Sequence, residues 1–136
     1  MKLALDSNII IAAFAARGLC SALFEVCIEK YTAMMSDHIL TEVRKAFLRK
    51  LKMPEPSVTE ILDYLRELCV TGAYRPLTAH VSRDRDDDKI LALAVAGEAD
   101  YIVTGDHDLL VLKKYGSVKI ITPREFWHIV KEESKR

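Results

Sequence analysis

The sequence predicts an α/β protein: a three-layer α/β/α sandwich with a central, mainly parallel sheet. Short apolar runs alternate along the chain with amphipathic segments that repeat at the helical period. The segments between the predicted strands can hold the crossover helices that parallel strands require. At 136 residues the chain can bury one core without disulfides or a structural metal, so we expect a single domain spanning residues 1–136.

The first elements follow from apolar patterning. The short apolar run at residues 2–6 predicts a buried first strand. A helical pattern at residues 8–16 stops at Gly18, a residue that suits a helix end. We expect a second amphipathic helix at residues 21–30 and a second strand at residues 31–35.

The next two helices have capping residues at their predicted starts. Ser36 or Asp37 can cap a helix whose apolar positions keep the helical period. After a break that contains prolines, Ser57 and Glu60 have capping-box spacing and predict a helix over residues 57–71. The apolar positions of the first of these helices are Ile39, Leu40, Val43, Phe47 and Leu51.

The second half of the chain repeats the alternation. Residues 75–80 predict a weak strand or a loop, and an acidic cluster at residues 84–88 follows. Residues 90–96 are apolar nearly all round, which predicts a buried helix. A strand is expected at residues 101–104 and a short helical turn at residues 109–113.

The chain ends in a strand and a well-marked helix. The strand is expected at residues 118–121. Thr122 can cap the helix that follows, Pro123 suits its first position, and Glu125 can reach back to the cap.

Composition narrows the function classes. The 20 basic and 20 acidic residues balance, which argues against a protein that coats nucleic acid through bulk charge but does not exclude a nuclease. Three cysteines without paired spacing indicate reduced thiols. No run of about 20 apolar residues is present, so we expect a cytoplasmic protein that does not enter the membrane.

Two aspartates follow predicted strands directly. Asp6 ends the first strand, and Asp106 follows the segment YIVTG. Parallel strand ends converge at one edge of a sheet, and sites form there where the strand order reverses. The alternative role for each aspartate is that of a helix N-cap, because a short helix is predicted just after it.

Two further acids have weaker support from the sequence. The aspartates at residues 84–88 are favourable at a helix N-terminus whatever their function. Among them we favour Asp87 over Asp88, because the small residues of the following helix lie around the face that Asp87 begins. Glu42 lies at the margin of an apolar helix stripe, where most glutamates are simply solvated.

A pocket of carboxylates indicates a divalent metal. Carboxylates held together repel one another, and oxygen ligands select Mg²⁺ or Mn²⁺. Such an ion supports hydrolysis of phosphodiesters by lowering the pKa of a bound water. The four histidines have no zinc-site spacing. Phosphatases of the haloacid dehalogenase type need a second Asp where this chain has Asn8.

Three segments resemble the acidic motifs of the PIN-domain family. The segment LALDSNIIIAAF is similar to the opening of PIN domains, and SDHILTEVRKAF is similar to their second motif. The segment DRDDDKILALAVAGEADYIVTGDHDLLVL is similar to the third and fourth motifs. It resembles them in the form found in toxins of bacterial and archaeal toxin–antitoxin pairs. The resemblance covers nearly the whole chain with the motifs in order.

The resemblance implies an α/β/α fold and a Mg²⁺- or Mn²⁺-dependent endoribonuclease. The third acid is implied to be Asp87, because many members have Asn where this chain has Asp88. The implied metal ligands are Asp6, Asp87 and Asp106. The four implied catalytic acids are Asp6, Glu42, Asp87 and Asp106. The implied supporting residues are Ser7, Asn8, Asp88, Thr104 and Asp108.

The resemblance also implies a mechanism and partners. Glu42 would orient or deprotonate the attacking water, or complete the shell around the metal, and hydrolysis would leave a 5′-phosphate and a 3′-hydroxyl. RNA is the implied substrate, an antitoxin protein a possible partner, and a homo-oligomer of two or more copies the expected assembly. The alternative is a PIN-fold module that binds RNA or acts as a scaffold without catalysis. Candidates for contact with the RNA backbone, or merely for surface solubility, are Arg83, Arg85 and Lys89.

Overall fold

The computed structural model describes residues 1–71 and 85–135, with the side chains at 70, 71, 85 and 86 left aside. The described part contains a six-stranded sheet in the order β3-β2-β1-β4-β6-β5. All neighbouring strands are parallel except β5 and β6. The strands are β1 (Lys2–Leu5), β2 (Thr32–Met35), β3 (Val70–Thr71), β4 (Tyr101–Val103), β5 (Lys114–Tyr115) and β6 (Val118–Ile121).

The described helices cover both faces of this sheet. The chain moves from β1 to β3 in one direction and from β3 to β6 in the other, so right-handed crossovers put α1–α4 and α5–α6 on opposite faces. The helix α1 packs against α2 and α3, α3 packs against α4, and α5 packs on β1, β2 and β4. This arrangement confirms the predicted sandwich. The helices are α1 (Ser7–Ala15), α2 (Leu19–Lys30), α3 (Asp37–Arg49), α4 (Glu55–Leu68), α5 (Arg85–Ala96), α6 (His107–Leu110) and α7 (Pro123–Ser134).

The central strands are apolar without alternation because both of their faces are covered. Leu3, Ala4 and Leu5 of β1 are buried, and so are the last three residues of β2. This is the pattern of a parallel sheet between two helix layers. Order reverses between β1 and β4, where Leu5 pairs with Val103. The carboxyl ends of these two strands are therefore adjacent.

The start and end of α4 differ from the prediction. The helix begins at Glu55 rather than at Ser57, and Pro54 occupies the N-cap position. Pro56 fits into the first turn because the amide hydrogen that proline lacks has no intrahelical partner there. The helix ends at Leu68, and Val70–Thr71 join the sheet beside β2 instead of continuing the helix.

Smaller corrections concern the other boundaries. The helix α1 starts one residue before the prediction, and α2 starts at Leu19 because Ser21 caps the amide of Gly18. The helix predicted at residues 109–113 begins at His107 instead, capped by Asp106. The unpredicted strand β5 pairs with β6 through a turn at Gly116, whose φ is +60°. Residues 75–80 lie outside the described residues.

The apolar helices α1 and α2 prompt the question of a membrane span. No single helix among residues 1–71 and 85–135 is long and apolar enough to cross a membrane. By length and composition α1 and α2 meet that test only as a pair, bent by 110°.

Gly97 lies where the end of α5 meets β2. A Cβ atom built at this position would come within 1.8 Å of Met34 Cε and 2.8 Å of Met34 Sδ. Met34 is buried, so the thioether must move within a filled core. We expect Gly97→Ala to lower the free energy of unfolding by about 1–3 kcal/mol, measured by urea denaturation. Gly18→Ala is the matched control, since nothing lies within 4 Å of its Cβ position. Equal stability of the two variants would contradict this packing.

Candidate metal centre

Asp6 leaves β1 at the point where the strand order reverses. Its amide donates to the carbonyl of Val103 at 3.1 Å, which ties the ends of β1 and β4 together. Its carboxylate accepts a 2.8 Å hydrogen bond from Thr104 Oγ1 and a 3.5 Å bond from Ser7 Oγ. Asp6 occupies the N-cap position of α1, yet its side chain makes no capping hydrogen bond. Helix capping therefore does not account for this carboxylate.

The surroundings of Asp6 are unfavourable for its negative charge. Burial raises the pKa of Asp6 above its ordinary value of 3.8, and the nearby charge of Asp106 raises it further. Hydrogen bonds from Thr104 and Ser7 oppose this pKa increase without cancelling it. A cation beside Asp6 would relieve both causes of the shift.

Asp106 has two roles at the end of β4. Its Oδ1 accepts a 2.9 Å hydrogen bond from the amide of Asp108, so Asp106 is the N-cap of α6, as the capping alternative predicted. Its own amide donates to Thr104 Oγ1 at 3.0 Å. Thr104 is fully buried and thus joins the two strand-end aspartates through one hydroxyl. The cap does not exclude a second use of the carboxylate.

Asp87 and Asp108 lie beside Asp106. These three residues each offer a carboxylate oxygen, and the three oxygens lie within 4.8 Å of one another. Asp87 comes from the first turn of α5 and is only 6% exposed, whereas Asp88 is half-buried. The structure thus places Asp87 beside Asp106 and Asp108. It also draws in Asp108, expected only as a supporting residue, while Asp6 is linked to the group through Asp106.

Glu42 lies on α3, at the side of the site formed by α1. It shares an open cavity with Ser7 and Asn8. Its Oε1 lies 3.1 Å from Nε2 of His38, one helical turn earlier. The capping bond from the amide of Ile39 to Ser36 Oγ fixes the start of this helix. Glu42 is therefore near the strand ends but outside the group of three aspartates.

His38 is a site residue that the sequence did not single out. Lys89 of α5 lies 3.5 Å from its Nδ1. Nε2 of the same ring lies 3.1 Å from Oε1 of Glu42, so the imidazole lies between Lys89 and Glu42. The contact joins two helices that are far apart in the sequence; the one available signal was the spacing of His38 and Glu42, four residues apart on a helix. Of the predicted RNA contacts, this places Lys89 beside the site. Arg83 and the side chain of Arg85 lie outside the described residues.

The donor set fits a hard divalent cation. The converging groups are carboxylates, the ligands that Mg²⁺ and Mn²⁺ prefer. Asp87 is buried, and the neighbouring Asp6 has a raised pKa, so the site carries an electrostatic cost that a cation offsets. The residues present therefore suit Mg²⁺ or Mn²⁺ without any change of side chain.

Thr104 allows this hydrogen-bonded arrangement to be tested. Thr104→Val keeps the shape but leaves the amide of Asp106 and an oxygen of Asp6 without the hydroxyl. We expect the free energy of unfolding to fall by about 1–3 kcal/mol and the pKa of Asp6 to rise further. Thr104→Ser retains the hydroxyl and should recover most of the stability. If both variants unfold at the same denaturant concentration, the hydroxyl has no such role.

The comparisons with known proteins concern the sequence and the fold of this chain. No curated protein sequence matches the chain. Its fold is similar to VapBC2 from Rickettsia felis, solved bound to a DNA fragment from the promoter, with a TM-score of 0.61 and 15% identity over 90% of this chain and 98% of that one. It is also similar to Mycobacterium tuberculosis VapC20, described as a sarcin-ricin loop cleaving toxin, with a TM-score of 0.59 and 11% identity over 86% and 98%.

The sequence itself matches a family model. That model, described as PIN domain, covers residues 2–108 and so includes the strand-end aspartates and the helices that bear Glu42 and Asp87. The match spans most of the chain. This chain therefore belongs to the PIN domain family.

Proposed function

We propose that this protein is a Mg²⁺- or Mn²⁺-dependent endoribonuclease. The observation that carries the proposal is the convergence of Asp87, Asp106 and Asp108 beside Asp6, where the strand order reverses. In open α/β sheets that place is the usual ligand site. Membership of the PIN domain family and the likeness to a toxin described as cleaving the sarcin-ricin loop support RNA as the substrate.

Each residue has a distinct part in the proposed reaction. Asp6, Asp87 and Asp106 would hold the ion, with Asp108 beside them. When bound, the ion supplies positive charge that stabilises the phosphate in the transition state and favours ionisation of water. Thr104 donates to the carboxylate of Asp6 and accepts the amide of Asp106, while the amide of Asp108 donates to the carboxylate of Asp106. Both carboxylates are therefore oriented before substrate arrives.

Glu42 would orient or deprotonate the attacking water. His38, supported by Lys89, holds its carboxylate and limits its rotation. Water attacks the phosphorus, the bond to the 3′ oxygen breaks, and that oxygen takes a proton. The products are a 5′-phosphate and a 3′-hydroxyl.

We further propose that the protein is the toxin of a toxin–antitoxin pair. The VapBC2 and VapC20 structures, which resemble it in fold, support this place among PIN domains. An antitoxin protein and a homo-oligomer are the partners we propose. A cytoplasmic location is proposed as well, since the three cysteines are free thiols, as expected in a reducing compartment.

The experiment that tests the activity compares two neighbouring aspartates. Wild type, Asp87→Asn and Asp88→Asn are incubated with single-stranded RNA in Mg²⁺, in Mn²⁺ and in EDTA. Both variants remove one negative charge from the start of α5, but of these two only Asp87 belongs to the group of three. We expect Asp87→Asn to reduce the rate by more than about 100-fold, because changes to the partners of metal ligands alone cost about 10–100-fold. Asp88→Asn should stay within a few-fold of wild type.

Three outcomes would count against the proposed activity. Cleavage that continues undiminished in EDTA would show that the reaction does not need a divalent metal. Products with a 3′-phosphate would require different chemistry. RNA binding without cleavage in either metal would favour the scaffold alternative over the nuclease.

A further inference from the structure

An open cavity extends from the candidate metal centre along α3. Its volume is about 460 Å³, and its walls are the first turns of α1 and the exposed face of α3. Ser7 and Glu42, both beside the strand-end aspartates, lie at one end. The other end is lined by Lys45, Arg49 and Lys50.

The three cations of this cavity differ from the other charged groups of α3. All three side chains are exposed, and none makes an ion pair with a residue in the described ranges 1–71 and 85–135. Arg44 of the same helix, by contrast, is paired with Glu55 at 2.9 Å. The chain as a whole has a net charge of zero, so this cluster is a local excess of positive charge.

The spacing of the cations follows the helix axis away from Glu42. At a rise of 1.5 Å per residue, Lys45 lies about 4.5 Å beyond Glu42, and Arg49 a further 6 Å along the same face. Lys50 broadens the far end. A regular ladder of positive charges that starts at a catalytic acid suits a ligand with repeated negative charges. The guanidinium of Arg49 adds the planar donor pair that recognises phosphate.

We propose that this cavity is a subsite for the RNA backbone, which holds the phosphates next to the one that is cleaved. The inference rests on the proposed nuclease function and deepens it. An RNA strand fits better than an acidic protein segment because Glu42 and Ser7, the chain neighbour of Asp6, line the same cavity as the three cations. Its described walls hold three cations, and their one aromatic ring, His38, is already in contact with Glu42 and Lys89, so the subsite holds phosphates without reading base identity.

The test measures binding without turnover. Fluorescein-labelled single-stranded RNA is titrated with the full chain in EDTA, and the association constant is followed by anisotropy across a range of salt concentrations. The slope of its logarithm against that of salt becomes shallower by about 0.7 for each phosphate that the protein no longer neutralises. We expect the groove variant to bind more weakly and to have a slope shallower by about 1.4–2. The groove variant is Lys45→Gln, Arg49→Gln and Lys50→Gln together.

The control variant removes the same charge at the opposite edge of the sheet. The start of β1, the end of α2 and the end of α7 lie there; Tyr31, which follows α2, is hydrogen-bonded to Glu133 of α7. We expect the salt slope of the control variant to equal that of wild type. An equal reduction in the groove and control variants would overturn the subsite, since net charge alone would then explain it. The control variant is Lys2→Gln, Lys30→Gln and Lys131→Gln together.

A third variant and a competitor complete the design. Lys45→Arg with Arg49→Lys conserves both charges and should keep the wild-type slope; a slope as shallow as that of the groove variant would contradict a phosphate subsite. If the groove variant binds poly-glutamate more weakly but RNA as well as wild type does, the cavity is a site for acidic protein instead. If wild type binds RNA through the groove but does not cleave it, the nuclease proposal fails while the subsite proposal stands. The failure of one proposal can therefore be distinguished from the failure of the other.

Discussion

Asp106→Asn is expected to abolish RNA cleavage while leaving the fold intact. Asn is as good an N-cap as Asp, so the capping bond to the amide of Asp108 is kept. In EDTA the variant should therefore be at least as stable as wild type, because the cap is kept and the charge that raises the pKa of Asp6 is removed. Cleavage in Mg²⁺ should fall by more than about 100-fold, because the change removes a metal ligand rather than a partner of one. Initial rates on labelled RNA and urea denaturation measure the two effects.

The matched control for this change is Asp100→Asn. Asp100 lies just before β4, at the opposite end of the strand from Asp106, and its carboxylate accepts the amide of Lys2. The substitution removes the same charge without touching the site, so cleavage should be unchanged. If Asp106→Asn cleaves RNA as fast as Asp100→Asn, then Asp106 is only a helix cap.

Asp6→Asn is expected to affect activity and stability in opposite directions. Cleavage should fall by more than about 100-fold, for the reason given for Asp106. In EDTA at neutral pH, however, the variant should be more stable than wild type. The amide oxygen of Asn can still accept from Thr104, while the charge that burial and Asp106 disfavour is gone. A thermal scan of both proteins in EDTA measures the difference.

The raised pKa of Asp6 also predicts the direction in which stability changes with pH. The pKa of Asp6 in the folded protein lies above the ordinary value of 3.8, so between these two pKa values the folded state binds more protons than the unfolded one. Stability from Asp6 is therefore fully present below the ordinary value and is lost as pH rises through the folded pKa. The free energy of unfolding of wild type minus that of Asp6→Asn should decrease over that window. A difference that increases with pH would contradict the raised pKa.

With Mg²⁺ present, wild type should be more stable than Asp6→Asn, the reverse of their order in EDTA. An ion that binds the folded state stabilises it by mass action, so Mg²⁺ should raise the melting temperature of wild type and have little effect on Asp6→Asn. An identical response of both proteins to Mg²⁺ would show that Asp6 does not contribute to the site.

The strand-end aspartates could be predicted from the sequence because their positions depend on local patterns. An apolar run followed by Asp6 or by Thr104, Gly105 and Asp106 marks the exit of a parallel strand, and parallel exits meet at one edge. Asp87 could be favoured over Asp88 from the small residues on its helix face. These inferences needed only periodicity and the rule for strand ends.

The remaining features depend on tertiary contacts that no local pattern records. Asp108 lies beside Asp106 because its amide donates to the carboxylate of Asp106 in the first turn of α6. The sequence predicted that this helix begins at residue 109, after Asp108. The contact of Lys89 with His38 bridges helices on opposite faces of the sheet, so neither residue signals the other. Likewise, the cations of α3 resemble any solvated helix face until the cavity beside them is seen.

The most direct test of the metal centre is a crystal structure of the full chain grown with Mn²⁺, with the ion located by its anomalous scattering. We expect a Mn²⁺ peak at the carboxyl ends of β1 and β4, ligated by Asp87 and Asp106. The same map would decide whether Asp6 or Asp108 completes the set. A peak bound elsewhere, with these aspartates making no contact to metal at saturating Mn²⁺, would contradict the proposed centre.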